Sequence, residues 1–317
     1  MESIWTEKYR PLDWSEIVGQ DAIVSRIKAL VESKSLPHLL FAGPAGCGKS
    51  TVALIIARKL FGTGWRAAFC ETNASDERGI QIIRSKIKDF ARTKTISIFP
   101  HKLILLDEAD ALTPEAQNAL RRLMESYAAS CRFILSCNYS SRIIPPIQSR
   151  CAVFRFRAIA DADIKKRLAK IATAEGLQIS QAALSAICHL AAGDIRQAIN
   201  ILQATATITK TIDEEAVYET ATAAKPAEIR GMLDAALAGN FSGARELLLR
   251  LLLKQGIAGE DIIKALAQEA YNLALHDSAK AALIEKIGEY EFRIGQGSDA
   301  QIQLEALLAQ LALLRKG

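Results

Sequence analysis

Apolar residues enter this chain in two rhythms, and the change between them divides it. Up to about residue 157, short and mostly apolar runs, continuous at 103–106, alternate with stretches where apolar positions recur every three or four residues. A continuous run suits a strand buried on both faces of a parallel sheet, and the longer spacing suits an amphipathic helix. The runs fall at 39–42, 67–72, 103–106, 131–137 and 152–156. Between them, Ile23, Ile27, Leu30 and Val31 predict a helix from Asp21, and 51–61 predicts a second. Ile80, Ile83, Ile87 and Phe90 predict a third over 79–93. A fourth starts at Thr113-Pro114, an N-cap followed by proline, with Ala116, Leu120, Leu123 and Tyr127 as its apolar face. Five strands alternating with helices predict a doubly wound α/β domain.

Past residue 157 the strand rhythm fades. Ile164, Leu168 and Ile171 form the buried row of a helix over 161–174, and further helices follow at 181–192 and from Asp194 through Ile199 and Leu202. This predicts a small helical domain ending near Thr222. Lys225-Pro226 is a boundary, and beyond it helices are expected at 226–238, 241–254, 259–276, 279–293 and 298–315. The expected division is therefore 1–157, 158–224 and 225–317. Leu247, Leu248, Leu251 and Leu252 give the last part a wide apolar face, suited to burial against other subunits or to internal packing.

Composition narrows the setting. No apolar run in the 317 residues is long enough to span a bilayer, and the first residues lack a signal-peptide pattern. Six scattered cysteines form no C-x-x-C pair, so zinc is not expected. They read as small buried hydrophobes in a reducing, cytoplasmic compartment. The net charge of +5 divides into +8 over 1–157, −2 over 158–224 and −1 over 225–317. A phosphate-rich partner explains that excess; so do ordinary solvated lysines.

The chemistry starts at the first run. Residues 39–42 lead into Gly43-Pro44-Ala45-Gly46-Cys47-Gly48-Lys49-Ser50, then an apolar helix. Strand, glycine-rich turn and helix are the setting in which G-x-x-x-x-G-K-[ST] becomes a phosphate-binding P-loop. Its backbone N–H groups converge on phosphate oxygens; Lys49 would reach the β- and γ-phosphates, and the Ser50 hydroxyl would ligate Mg²⁺. The run 103–106 ends in Asp107-Glu108-Ala109-Asp110. In open parallel sheets ligands sit at the carboxyl ends of strands. Asp107 is thus placed to hold Mg²⁺, directly or through water, and Glu108 to polarise an attacking water. Asn138, at the carboxyl end of its own run, can orient water, read the γ-phosphate or simply form a turn. Arg84, Lys88 and Arg92 lie four apart on one helix, a row that can track a phosphate backbone or merely face solvent. Arg121 and Arg122 project away from the apolar face of their helix.

Together these stretches resemble a known family. The pattern resembles the AAA+ ATPases and, more narrowly, the archaeal replication factor C small subunits of clamp loaders. The resemblance rests on Trp5…Lys8-Tyr9-Arg10-Pro11, Val18-Gly19-Gln20, Asn73-Ala74-Ser75-Asp76-Glu77-Arg78-Gly79, Asp107-Glu108-Ala109-Asp110, Ser136-Cys137-Asn138, Ser149-Arg150-Cys151 and Gly193-Asp194-Ile195-Arg196. It implies an AAA+ P-loop domain with a five-stranded parallel sheet, a small helical lid domain and an all-α C-terminal collar domain. It also implies that Val18 lies near the adenine of ATP, with Gly43 to Thr51 around its phosphates. Asn138 would be the first sensor and Arg196 the second, on the lid. Asn73 would restrain Glu108 until DNA binds, and Arg150 would be an arginine finger reaching the next subunit's ATP. Arg84, Lys88 and Arg92 would track DNA.

The activity implied is that of an ATPase subunit, using ATP and Mg²⁺, which opens the sliding clamp (PCNA) and loads it onto primer–template DNA. Its partners would be a large clamp-loader subunit and other copies of the small subunit. Ala45, Cys47 and Ser50 depart from the family's usual P-loop residues, and Cys47 raises the prospect of thiol sensitivity. Two other readings are a nucleotide-binding scaffold with little chemistry and a branch-migration motor. Lys49, Asp107, Glu108, Asn138 and Arg150 argue against the first; Ser149-Arg150-Cys151 and the collar length argue against the second.

Overall fold

Five parallel strands carry the first part of the chain, side by side in the order Phe69–Asn73, Lys102–Asp107, Cys131–Cys137, His38–Ala42 and Cys151–Arg155. In this computed structural model, residues 4–75, 80–92 and 99–313 are described, with side chains of the middle stretch from residue 85 onward. The chain separates into two units, Met1–Ile212 and Asp213–Gly317. In the first, the elements run α1 (Trp5–Lys8), α2 (Asp21–Glu32), β1 (His38–Ala42), α3 (Lys49–Phe61), α4 (Trp65–Ala68), β2 (Phe69–Asn73), α5 (Ile80–Arg92), β3 (Lys102–Asp107), α6 (Pro114–Ser126), β4 (Cys131–Cys137), α7 (Pro145–Gln148) and β5 (Cys151–Arg155).

Continuous apolarity in the strands follows from cover on both faces. Leu40, Ile104, Leu106, Phe133 and Leu135 pack with Ile87 of α5 and with Leu120, Leu123 and Met124 of α6. Their neighbours Leu39, Phe41, Leu103, Leu105 and Ile134 pack on the opposite side with Ile27 of α2 and with Val52 and Ile56 of α3. Alternate residues therefore serve opposite cores, as the two-residue period of a strand requires. Pro114 opens α6 and the Thr113 side chain accepts from the Ala116 N–H. One expectation fails locally. Ala67 and Ala68, read as strand, close the one-turn α4, and β2 begins at Phe69. Alanine fits a helical turn well, and the tilted contact of the Trp65 ring with Phe69, centroids 5.9 Å apart, anchors that turn.

The same unit continues through α8 (Asp161–Ala174), β6 (Gln178–Ile179), α9 (Gln181–Ala191), α10 (Ile195–Ile208) and β7 (Thr211–Ile212). Ile164, Leu168 and Ile171 are buried, as their spacing predicts. The parallel pair β6–β7 is not predicted by the pattern, because two-residue strands are too short to show a period.

The second unit holds α11 (Glu214–Ala221), α12 (Pro226–Leu237), α13 (Phe241–Leu249), α14 (Gly259–Asn272), α15 (Asp277–Gly295) and α16 (Ala300–Leu313). The helix expected over 241–254 is continuous, but its last turn, Arg250–Lys254, widens to i→i+5 bonding. α14 stops at Asn272, short of the expected 276, because Leu273 turns extended. Met232, Leu248, Leu251, Leu266, Ile287 and Leu308 belong to one core, so the leucine-rich face serves internal packing. Leu253, Tyr271, Phe292 and Ile302 are left exposed.

Candidate active site

The carboxyl ends of β1, β3 and β4 meet beside the loop that joins β1 to α3. Gly43 must be glycine there, because a Cβ would lie 2.4 Å from the Phe156 carbonyl oxygen. Gly48 takes a φ of 97°, a left-handed turn that starts α3 and aims its first N–H groups into the loop. Lys49 is buried, and its Nζ donates to the carbonyls of Gly43 and Pro44, each at 2.7 Å, and to Asn138 Oδ1 at 3.1 Å. The ammonium thus bridges the loop and the end of β4, where a phosphate would compete for it. Ala45, Gly46, Cys47, Gly48 and Thr51 line the same cleft.

Ser50 Oγ donates to Asp107 Oδ2 at 2.6 Å. A hydroxyl beside a carboxylate fits Mg²⁺, a hard ion that takes few protein oxygens and fills its octahedron with water and phosphate oxygens. Glu108 follows with a φ of 54°, its N–H donating to Asp107 Oδ1 at 3.1 Å. This left-handed turn directs the exposed Glu108 into the cleft rather than along the strand. Asp110, the last acid of that stretch, has a task that its pattern does not show. Its Oδ2 accepts the backbone N–H groups of Asn138 at 3.1 Å and Tyr139 at 3.0 Å, fixing the turn that carries Asn138.

The far wall comes from the N-terminal segment and the three-helix part. Ile17 and Val18 face Ile159, Ile195 and Ile199 across the cleft, an apolar slot able to take a flat base. Asp194 caps α10 through the N–H groups of Arg196 and Gln197, and packs so tightly on the loop that a Cβ at Gly46 would lie 1.6 Å from its Oδ1. Arg196 is exposed and lines the cleft. The buried Gln20 ties the region together. Its Nε2 donates to the Arg157 carbonyl at 2.7 Å and lies 3.5 Å from that of Cys47. Trp5 N–H donates to Gln203 Oε1 at 2.8 Å, while Lys8 and the Tyr9 hydroxyl both donate to Glu175. Residues 5–9 are therefore strapped onto α10 and the end of α8.

Several other predicted residues, though not Cys47, stand apart from the cleft. Arg150 precedes β5, whose first residue, Cys151, pairs with His38 at the start of β1, while Arg155 pairs with Ala42 at its end. Arg150 is thus at the opposite end of the strands from its own P-loop. Its Nη2 meets Glu125 Oε1 at 2.7 Å and its Nη1 donates to the Pro146 carbonyl at 2.7 Å. Lys88 and Arg92 are exposed on α5, beside the buried Ile87 and Ala91; the Arg84 side chain lies outside the described residues, as do Arg78 and Lys94. Arg121 is half-buried within 3.8 Å of Glu125, and Arg122 is exposed. Asn73 Oδ1 accepts from the Ser75 N–H and hydroxyl, both at 3.0 Å, so the side chain expected to restrain Glu108 is engaged locally. Cys47 is 1% exposed, its Sγ donates to the Pro44 carbonyl, and burial pushes its pKa up. That is the environment of an inert thiol and corrects the expectation of sensitivity.

Three family models match the chain in succession. They are the ATPase family associated with various cellular activities over 39–158, the RFC1-like AAA+ ATPase lid domain over 161–219, and the replication factor C C-terminal domain over 224–310. The replication factor C small subunit of Archaeoglobus fulgidus is 52% identical, over 99% of this chain and 98% of that protein. Those of Methanococcus vannielii and Methanosarcina acetivorans are 50% and 51% identical, each over 99% of this chain and over 100% and 96% of their own lengths. Among solved structures, the Thermotoga maritima RuvB Holliday junction branch migration motor superposes with a TM-score of 0.57 at 17% identity, over 85% of this chain and 93% of that one. At that identity the likeness bears on the fold alone: an AAA+ sheet domain, a lid and a helical C-terminal domain.

Proposed function

The chain belongs to the replication factor C small-subunit family of AAA+ ATPases, and on that premise we propose that, in a multi-subunit clamp loader, it opens the sliding clamp (PCNA) and loads it onto primed DNA. The partners in this reading are a large clamp-loader subunit, further copies of the small subunit, the clamp and primer–template DNA. Residues 1–157 hold the nucleotide, 158–224 form the lid and 225–317 the collar. Among the described residues no helix is long and apolar enough to cross a membrane, and we take the setting to be cytoplasmic.

In this reading the loop from Gly43 to Thr51 wraps the ATP phosphates and Lys49 exchanges its carbonyl partners for them. Val18 lies against the adenine. Ser50 and Asp107 would hold Mg²⁺, which supplies neutralising charge to the phosphate oxygens when bound. Glu108 accepts a proton from the attacking water, Asn138 orients it, and Arg196 carries the lid's response. Nucleotide acts through unequal affinity for the open and closed arrangements of the ring, as any switch must. The observation that supports the reading most is the junction itself: Lys49 hydrogen-bonded to Asn138, and Ser50 to Asp107, where three adjacent strands end.

ATP hydrolysis by the purified complex should rise when clamp and primed DNA are added together. A rate indifferent to both removes the loading activity from the proposal while leaving an ATPase. The basic row makes a second prediction. Changing Arg84, Lys88 and Arg92 to Ala should weaken DNA binding and flatten its dependence on log salt by about 0.9 for each phosphate that the row neutralises. An unchanged slope means that α5 does not touch the DNA backbone.

A further inference from the structure

Ser136, two residues before Asn138 on β4, carries a polar atom that the fold does not satisfy. It is fully buried, and its Oγ has no hydrogen-bond partner among the described residues. The strand around it is otherwise Phe133, Ile134, Leu135 and Cys137, where a buried parallel strand asks for apolar side chains. A buried hydroxyl left unpaired in such a strand destabilises the protein, so its presence calls for a cause.

The register supplies one. Ser136 pairs with Phe41 on β1, and on the other side Leu135 pairs with Leu106, so Ser136 stands level with Asp107. Alternation puts Ser136 on the face of Ile134, Leu103 and Leu105, the face on which Asp107 also falls. Ser136 lines the cleft together with Lys49, Ser50 and Asp107. On one side its neighbour is Phe41, which offers no acceptor; on the other is the Ser50–Asp107 pair, the set of oxygens suited to Mg²⁺.

We propose that Ser136 is a positioning residue whose hydroxyl takes its missing hydrogen bond from the outer shell of the magnesium–triphosphate group held by Ser50 and Asp107. The inference rests on the nucleotide-binding reading above. Outer-shell partners tune metal affinity by roughly 10–100-fold without ligating the ion. Removing this hydroxyl therefore has opposite consequences in the two states. Without nucleotide it relieves an unpaired polar group; with nucleotide it removes a partner.

The test uses the full chain, with thermal melting and a fluorescent, non-hydrolysable ATP analogue. Ser136→Ala should melt no lower than wild type without nucleotide. Its affinity for the analogue in the absence of Mg²⁺ should be unchanged. The Mg²⁺ concentration at half-maximal enhancement of binding should rise about 10-fold or more. A lower melting temperature with an unmoved Mg²⁺ midpoint makes Ser136 a structural residue and overturns the inference. Asp107→Asn separates the two levels of the argument. If it shifts the midpoint and Ser136→Ala does not, the inference alone is wrong. If neither variant shifts it, the metal site and the inference fall together.

Discussion

Arg150→Ala should lower ATP hydrolysis by the assembled complex about 10³–10⁵-fold, the range for removing an arginine finger, while nucleotide binding by the isolated chain should barely change. The expectation follows from the sheet. β5 and β1 run parallel in register from His38–Cys151 to Ala42–Arg155, so Arg150 precedes the strand and Gly43 follows it. Five residues at about 3.3 Å each put roughly 16 Å of strand between them. A guanidinium at that end stands too far from its own P-loop to serve it, so the expectation is that it meets a nucleotide presented by another copy. In the free chain it rests on Glu125 and the Pro146 carbonyl, with 40% and 43% of the Arg150 and Glu125 side chains exposed. An ion pair that exposed is screened and weakly held, so a phosphate can displace it. Arg150→Lys should rescue little, since an ammonium cannot reproduce the planar fork. The measurement is steady-state hydrolysis beside equilibrium nucleotide binding. Equal loss of both would show that Arg150 serves its own site.

How far the sequence carried the fold depended on the range of the signal. The central strands β1, β3 and β4 were the most legible, because cover on both faces keeps their runs almost wholly apolar; 131–137 matches β4 residue for residue. The helices over 161–174 and 226–238 were legible through their period and stops. Local chemistry was legible too: Thr113-Pro114 and Asp194 cap helices as their types suggest. What the pattern could not show is contact between distant segments. Asp194 seated on Gly46, Gln20 bridging to Arg157, and the strap from Lys8 and Tyr9 to Glu175 depend on the chain's return, not on spacing. Nor does a serine in an apolar strand announce that its hydroxyl is unpaired. Asp110 was visible as the last acid of its stretch, but its duty to the Asn138 backbone needed β3 and β4 side by side.

Glu108→Gln should reduce hydrolysis about 10²–10⁴-fold, the usual contribution of a positioned general base, and leave binding of the magnesium–nucleotide near wild type. The substitution keeps size and hydrogen-bonding reach but removes the carboxylate's capacity to accept a proton. The backbone makes the role specific. Glu108 sits at a φ of 54°, a conformation that costs a non-glycine residue about 1–3 kcal/mol and persists where its surroundings impose it. Asp107 imposes it in part, by accepting the Glu108 N–H while also holding Ser50. The acid that turns the chain is therefore the one suited to the metal, and Glu108 is aimed by the same carboxylate. Loss of binding as large as loss of turnover would make Glu108 part of the binding site instead. Paired with Arg150→Ala, the variant also tests which chain each residue serves. Glu108→Gln should silence the site of the subunit that carries it, and Arg150→Ala the site of its neighbour. Both changes in one subunit should then cost two sites in a ring, whereas the same changes on two adjoining subunits facing one nucleotide should cost a single site.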